Sequence, residues 1–284
     1  MYQSYRHVAH NAGMTVPREP TREISRQTFL RAAAGALAAG TVFGSVRATA
    51  DPKTSGWPQP NGPTGSFTLV FEDEFPGTTL NTDNWSASGS DWGGQGDSSM
   101  NGVSTIAANV AVNNGLTLTL SSSTVGSMIV SDPGYASPGF TFTEGIVEAK
   151  IMFAGNGSEI YNWPAFWTTC YPVSDWPSGG ENDIAEGVNG TIELHVVDAT
   201  HGGQGGQNAG YVGGAWHVFT LQRTATQSIF WYDGVNIATI NTTQNAFPHF
   251  IILNNGYGTQ QPGPLGTGAT GAMRVEYVRA WTVA

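Results

Sequence analysis

The sequence is short of cysteine, of basic residues and of long apolar runs, and each shortage excludes a class of protein. Its 284 residues contain one cysteine, Cys170, so an intrachain disulfide framework is excluded. Cys170 lies in the apolar, aromatic stretch WPAFWTTCYP, where we expect a buried structural thiol rather than a nucleophile. No stretch after residue 50 keeps a helical period, and the many Gly, Pro, Ser, Thr and Asn residues favour short strands joined by turns. The predicted fold class is all-β.

Basic residues are concentrated at the N-terminus. Residues 1–50 carry six Arg and two acidic residues, whereas residues 51–284 carry five basic residues against 19 acidic ones, a net charge of −14. Such an acidic body repels phosphate backbones, so we expect no nucleic acid partner. An uncharged substrate, such as a neutral sugar, suits this charge better.

The first fifty residues have the pattern of an export signal. From Ser25 the chain reads SRQTFLR, then the apolar run AAAGALAAGTVFGSV, then RATA, which ends in the small-x-small pattern of a cleavage site. The run is too short and too rich in Ala and Gly for a comfortable membrane span. It resembles a bacterial twin-arginine signal, although Gln27 takes the place of the second arginine. We expect residues 1–50 to be removed and the protein to be secreted, free of the membrane; a disordered tail is the alternative.

Residues 51–66 are rich in Pro, Gly and Ser and are typical of a linker, so we expect one domain over residues 67–284. Short runs with a period of two recur along this domain, separated by Asn-Gly, Asp-Gly and Pro-Gly turn signals. Such runs occupy residues 67–75, 115–123, 145–153, 216–224, 228–234, 250–256 and 273–281. Many short strands in one domain predict two packed sheets with polar outer faces.

The segment GGENDIAEG, residues 179–187, holds three acidic residues within six positions. On a regular strand Glu181 and Asp183 point to one face, whereas Glu186 points to the other. A β-bulge between Asp183 and Glu186 would bring all three carboxylates to the same face. Retaining glycoside hydrolysis needs two carboxyl groups about 5–5.5 Å apart, one as nucleophile and one as acid and then base. A neighbouring carboxylate raises the pKa of the acid. A calcium site and an ordinary solvated acidic strand are the alternatives.

An ordered set of motifs resembles glycoside hydrolase family 16, and its laminarinase-like β-1,3-glucanases in particular. The resemblance covers nearly all of residues 67–284. The motifs are FEDEF (71–75), WPAFW (163–167), WPSGGENDIAE (176–186), WHVF (216–219), WYDG (231–234), IILN (251–254) and VEYVRAW (275–281). The resemblance implies a concanavalin A-like jelly-roll sandwich of two antiparallel sheets, with a substrate cleft across the concave face. It also implies the retaining mechanism, with Glu181 as nucleophile, Glu186 as general acid/base and Asp183 as the assisting carboxylate.

Further positions carry over from the family one by one. Those assigned to substrate binding are Trp163, Trp167, Trp176, His201, Asn254 and Asn109. Each Trp could equally be core material, and His195 is a second candidate for the cleft histidine. Asn182 replaces the usual aliphatic residue, and a buried Asn needs hydrogen-bond partners. No cofactor is required; a structural calcium near Glu276, where relatives more often have Asp, is left open.

The function that the resemblance implies is endo-acting, retaining cleavage of β-1,3- or mixed β-1,3/1,4-glucan, and we expect a monomer. Two alternatives remain: a transglycosylase or galactan-cleaving enzyme on the same fold, and a glucan-binding, lectin-like protein without activity. A binding module has no need of Glu181, Asp183 and Glu186 together. The linkage cut, and the choice between water and a sugar hydroxyl as acceptor, are not determined by the sequence.

Overall fold

The structure of the protein is a computed structural model, and it describes residues 58–87, 102–199, 202–205, 213–243, 246–259 and 261–283. Over these residues the chain forms fifteen β-strands and three short 3-10 helices. The predicted all-β class is confirmed. Among the described residues, no helix has the length and apolar character required to cross a bilayer.

The strands follow one another with short connections. They are β1 (Phe67–Asp73), β2 (Ser104–Thr105), β3 (Val110–Val112), β4 (Leu116–Leu118), β5 (Val125–Val130), β6 (Gly145–Met152), β7 (Trp163–Cys170), β8 (Glu181–Val188), β9 (Thr191–Asp198), β10 (Gly202–Gly205), β11 (Trp216–Arg223), β12 (Gln227–Tyr232), β13 (Val235–Asn241), β14 (His249–Gly256) and β15 (Met273–Val283). The 3-10 helices are Ala107–Asn109, Val173–Asp175 and Gly268–Gly271.

The described strands form two sheets, as predicted. An eight-stranded sheet has the order β13-β12-β11-β6-β15-β4-β3, with β1 also paired to β15. A seven-stranded sheet has the order β10-β9-β8-β7-β14-β5-β2. All pairs are antiparallel except β2 with β5. The acidic segment 181–186 is therefore on β8, within the seven-stranded sheet and flanked by β7 and β9.

The main hydrophobic core lies between the sheets. Strand β9 shows the alternation most clearly, because Ile192, Leu194 and Val196 are buried in this core whereas the residues between them are partly exposed. Strands β7 and β14 are buried along their whole length, as expected of strands covered on both faces. Cys170, at the end of β7, is fully buried, and burial raises the pKa of its thiol to about 11, as expected of a structural cysteine.

A two-residue turn joins β8 to β9 and fixes which side chains lie beside the acidic segment. Asn189 and Gly190 have φ angles of 50° and 77°, the positive values that a type I′ hairpin turn requires. The turn sets the register that pairs Glu186 with Glu193. Beyond Glu186 the register shifts by one residue, and Asp183 pairs with His195.

The predicted export signal (1–50) lies outside the described residues, as do residues 51–57 of the predicted linker. Residues 58–62 lie against the eight-stranded sheet. The backbone N–H of Asn61 donates to the buried carboxylate of Glu148 at 2.6 Å, and the indole of Trp281 donates to the carbonyl of Pro58 at 2.9 Å. These contacts tie the start of the described chain to β6 and β15.

Candidate active site

A β-bulge in β8 brings the three acidic side chains to one face of the seven-stranded sheet. The pairing of β8 with β9 shifts register between Asp183 and Glu186, and the pairing with β7 shifts at the corresponding place. Ile184 and Ala185 both lie in the core between the sheets, which is the double inward step that a bulge permits. The bulge expected from the sequence is confirmed, and Glu181, Asp183 and Glu186 share the face opposite the core.

The bulge has an anchor on the other sheet. The hydroxyl of Tyr232, on β12, donates to the carbonyl oxygen of Ile184 at 2.6 Å. Burial and the charge of Asp183 raise the pKa of Tyr232, so its hydroxyl keeps its proton and stays a donor. This contact across the core holds the backbone at the point where the strand changes its alternation.

Two tryptophans hold the two glutamates. The indole N–H of Trp176 donates to Oε2 of Glu181 at 3.2 Å, and that of Trp163 donates to Oε1 of Glu186 at 2.7 Å. Both glutamates are partly exposed. Each glutamate therefore has one carboxylate oxygen oriented by an indole on this face.

Asp183 lies between the glutamates in a more buried place. Its residue exposure is 9%, and burial, followed by the charges of Glu181 and Glu186, raises the pKa of its carboxyl well above the usual value. A carboxyl group in this environment keeps its proton more readily than an exposed carboxyl group does. It can then donate a hydrogen bond to an adjacent carboxylate.

His195 and Glu193, on β9, complete the cluster. Nδ1 of His195 lies 3.0 Å from Oε2 of Glu186 and 3.8 Å from Oδ2 of Asp183. Nε2 of the same ring lies 3.4 Å from Oε2 of Glu193. His195 was the second candidate for the cleft histidine; the first, His201, lies outside the described residues. Glu193 was missed, although counting pairs outward from the Asn189-Gly190 turn would have placed it opposite Glu186.

The remaining expected binding residues lie in two places. The indole of Trp167 donates to Oδ1 of Asn254 at 2.7 Å, and both residues are almost fully buried. Trp167 packs in an apolar cluster that also contains Met128, Val130, Ala165, Phe250 and Ile252. Asn109 instead donates to the hydroxyl of Ser121 at 2.7 Å and to the carbonyl of Gly126 at 3.0 Å, which ties the Ala107–Asn109 helix to β5.

A network of buried polar groups lies behind the acidic strand. Asn182 accepts a hydrogen bond from the hydroxyl of Ser228 at 2.7 Å and donates toward Oγ1 of Thr168 at 3.4 Å. Nδ1 of His249 lies 3.0 Å from the Thr168 hydroxyl, and its Nε2 lies 2.8 Å from the carbonyl oxygen of Gly179. Because a carbonyl only accepts, Nε2 carries the ring proton and Nδ1 accepts from Thr168. Asn182 thus has the partners that a buried amide needs.

Carboxylates that could bind a metal ion lie in two places. Asp183, Glu186 and His195 have ligand atoms within 4.8 Å of one another. In this group Nδ1 of His195 lies 3.0 Å from Oε2 of Glu186, and the indole of Trp163 donates to the other oxygen of Glu186. At Glu276, Oε2 lies 2.7 Å from the ammonium of Lys150. An ammonium beside the carboxylate opposes a second cation, so these residues do not fit a calcium site.

Sequence similarity to curated proteins covers a short segment of the chain. No family model matches the chain. Among curated proteins, a probable glycosidase of Schizosaccharomyces pombe is 58% identical over 40 residues, a match that spans 13% of this chain and 9% of that protein.

Solved structures match over far more of the chain. The laminarinase catalytic domain of Thermotoga petrophila has a TM-score of 0.62 at 18% identity, covering 78% of this chain and 99% of its own. The endo-β-1,3-glucanase of Pyrococcus furiosus has a TM-score of 0.60 at 21% identity, with 78% and 96% covered. SCLam, a non-specific endo-β-1,3(4)-glucanase of family GH16, has a TM-score of 0.60 at 21% identity, with 82% and 98% covered. These similarities confirm the predicted jelly-roll sandwich, the fold that these glucanases have.

Proposed function

We propose that the chain is a retaining, endo-acting glycoside hydrolase that cleaves β-1,3- or mixed β-1,3/1,4-glucan. The observation that carries the proposal is the pair Glu181 and Glu186 on one face of β8, each oriented by an indole N–H, with Asp183 buried between them. Retaining glycosidases use two carboxyl groups, one of which attacks while the other carries a proton.

In this mechanism Glu181 attacks the anomeric carbon and forms a glycosyl-enzyme ester, while Glu186 gives its proton to the departing glycosidic oxygen. Water then enters, Glu186 takes a proton from it, and the ester bond to Glu181 breaks with the original configuration restored. Trp176 holds the carboxylate of Glu181 for the attack. Protonated Asp183 supports that carboxylate from the side, because a neutral neighbour does not repel the charge of Glu181.

The preference for a neutral glucan follows from charge. Four carboxyl-bearing residues and one histidine line this stretch of β8 and β9, and residues 51–284 carry a net charge of −14. A polysaccharide bearing sulfate or carboxylate groups would meet repulsion there. The solved structures with the same fold are named as laminarinases and endo-β-1,3(4)-glucanases, which supports a β-1,3-linked or mixed-linkage substrate.

The test is reducing-sugar release by the chain from Asp51 onward on laminarin, mixed-linkage glucan, agarose and xyloglucan. Activity is expected on the first two and should disappear in Glu181→Gln, with thermal unfolding unchanged. Glu72→Gln, an exposed glutamate on β1, is the matched control and should keep full activity. An active Glu181→Gln enzyme would overturn the assignment, and binding to glucan without any cleavage would point to a lectin-like protein.

Two further measurements test the mechanism. The first product observed by proton NMR should be the β-anomer; an α-anomer would contradict double displacement. Glu186→Ala should lose activity on glucan, and azide should accelerate its turnover of an aryl glucan oligosaccharide whose leaving group needs no proton, because azide needs no general base to attack the glycosyl-enzyme. A folded Glu186→Ala enzyme with full activity would remove Glu186 from the acid/base role.

We also propose that residues 1–50 direct export and are removed. The support is the basic start, the apolar run and the Ala48-Thr49-Ala50 end of this segment. Expression of the full chain in a bacterial host should release a protein whose N-terminal residue is Asp51. A protein that stays in the cytoplasm with its N-terminus intact would contradict this proposal.

A further inference from the structure

Glu193 lies in the acidic face without a role in the mechanism above. It pairs directly with Glu186 across the β8–β9 hairpin, and it points to the same face because Ile192 and Leu194 on either side are in the core. Its contact in the cluster is with His195, whose Nε2 lies 3.4 Å from Oε2 of Glu193. The imidazole ring of His195 is therefore placed between two glutamates, with Nδ1 toward Glu186 and Nε2 toward Glu193.

The number of N–H groups on the His195 ring depends on its protonation state, and this decides which of its two contacts with glutamates are favourable. A neutral ring has one N–H and one lone pair, and an imidazolium has two N–H groups. With Glu186 ionised, both contacts are favourable only if His195 is an imidazolium. With Glu186 protonated, a neutral His195 can donate from Nε2 to Glu193 and accept at Nδ1. In both states the carboxylate of Glu193 keeps a proton on Nε2, so Nδ1 is the nitrogen that responds to Glu186.

We propose that Glu193 is a positioning residue that acts through His195 and sets the pH range in which Glu186 carries the proton it gives to the leaving group. The proposal rests on the glycosidase function proposed above. In this role Glu193 does not contact the reacting atoms. It orients the imidazole and adds a negative charge that disfavours loss of the proton shared by His195 and Glu186.

The charges around His195 are consistent with this role. From β8 it faces Glu186, Asp183 and Glu181, and on its own strand it faces Glu193. On the other side β10 places Gly205, which has no side chain, at the register position of His195. Burial lowers the pKa of His195, but the hydrogen bond and charge of Glu186, followed by the charges of Glu193 and Glu181, raise it above its usual value overall.

The sign of the effect follows from electrostatics. The charge of Glu193 contributes to the raised pKa of His195, so removing that charge lets the proton shared by His195 and Glu186 leave at lower pH. In Glu193→Gln the basic limb of the kcat/KM profile should therefore move to lower pH, by about half to one unit for a partly exposed pair. KM at the pH optimum should stay unchanged. Glu193→Asp keeps the negative charge and should therefore move the basic limb less than Glu193→Gln does.

The experiment compares pH profiles on laminarin for the wild-type enzyme, Glu193→Gln and Glu193→Asp, with Glu72→Gln as the charge-matched control. The titration of His195 is followed by NMR in the same proteins, assigned with a His195→Asn variant. The proposal predicts a lower basic limb together with a lower His195 pKa in Glu193→Gln, and neither change in Glu72→Gln.

Other results overturn it in different ways. A raised KM with an unmoved limb would make Glu193 a contact for sugar hydroxyls, and a lowered melting temperature with an unmoved limb would make it purely structural. A wild-type protein that cleaves none of the polysaccharides refutes the proposed function. The NMR titration then still decides the coupling, since an identical His195 pKa in wild type and Glu193→Gln refutes the role of Glu193 by itself.

Discussion

Replacing Tyr232 by Phe should separate the contribution of the bulge from that of the rest of the sandwich. The change removes the hydroxyl that donates to the Ile184 carbonyl at 2.6 Å and keeps the ring, which packs edge-on against Phe219 with centroids 4.8 Å apart. Core volume is therefore nearly preserved. The perturbation acts on one hydrogen bond, at the residue that begins the bulge between Asp183 and Glu186.

The expected size follows from burial. Tyr232 is 7% exposed and Ile184 is fully buried, so water does not readily replace the lost donor. Leaving a buried carbonyl without this partner costs about 1–3 kcal/mol of unfolding free energy. Each kcal/mol lowers the melting temperature of a domain of this size by about 2–4 °C. A relaxed bulge also moves Glu186, and since a shift of about 1 Å can cost about 100-fold in rate, we expect kcat to fall by about tenfold.

Chemical denaturation and kcat on laminarin measure the two effects, with Tyr277→Phe as the control. Tyr277 also donates its hydroxyl to a buried acceptor, Oε1 of Glu148 at 2.9 Å, but it lies on β15 in the eight-stranded sheet, which does not carry the acidic strand. Tyr277→Phe should lose stability and keep kcat. Equal kcat in both variants would refute the reasoning, because strand pairing and the packing of Ile184 and Ala185 would then suffice to hold the bulge.

Three other outcomes are expected. Asp183→Asn should reduce kcat less than Glu181→Gln does. Its melting temperature should be unchanged or higher, because the raised pKa of Asp183 already favours the neutral form of this side chain. An Asp183→Asn variant as inactive as Glu181→Gln would show that Asp183 acts as more than a neutral support. Burial and then the positive charge of Arg223 hold the pKa of His249 well below its usual value. Below about pH 6.5 the imidazole of His249 therefore takes up a proton only in the unfolded chain. The free energy of unfolding should fall by about 1.4 kcal/mol for each pH unit below this value. Urea unfolding at pH 7, 6 and 5 should show a shallower pH dependence in His249→Gln, and parallel curves would contradict this account. Because Lys150 forms an ion pair with Glu276, EDTA should leave the melting temperature unchanged. A melting temperature that EDTA lowers and calcium restores would reveal a calcium site in the protein.

Local periodicity left two possible arrangements for the acidic segment of β8. The spacing of Glu181, Asp183 and Glu186 required either two faces or one extra residue, and the observed register shift is that extra residue. The alternating runs also placed β6 and β11 to within a residue at their ends. These features depend on neighbours along the chain, whose geometry a period of two describes well.

Contacts between distant segments were not predictable in the same way. The sequence indicated that Asn182 needs partners, but Ser228 is 46 residues away on the other sheet, and no local pattern names it. Tyr232 reaches Ile184 over 48 residues for the same reason. Glu193 is a different case, because only a two-residue turn separates its strand from β8, and the type I′ register would have revealed it.

Glu181 and Glu186 are supported from behind by separate anchors. Asn182 and His249 hold the strand on the Glu181 side, since His249 bonds the carbonyl of Gly179, two residues before Glu181. Tyr232 holds the Glu186 side through the bulge. A buried polar network that is fully paired fixes one arrangement of the core, whereas an aliphatic residue at position 182 would pack without specifying the position of Gly179. The polar residue inside this sandwich is therefore consistent with a strand that holds two carboxyl groups in fixed positions, each through its own buried contact.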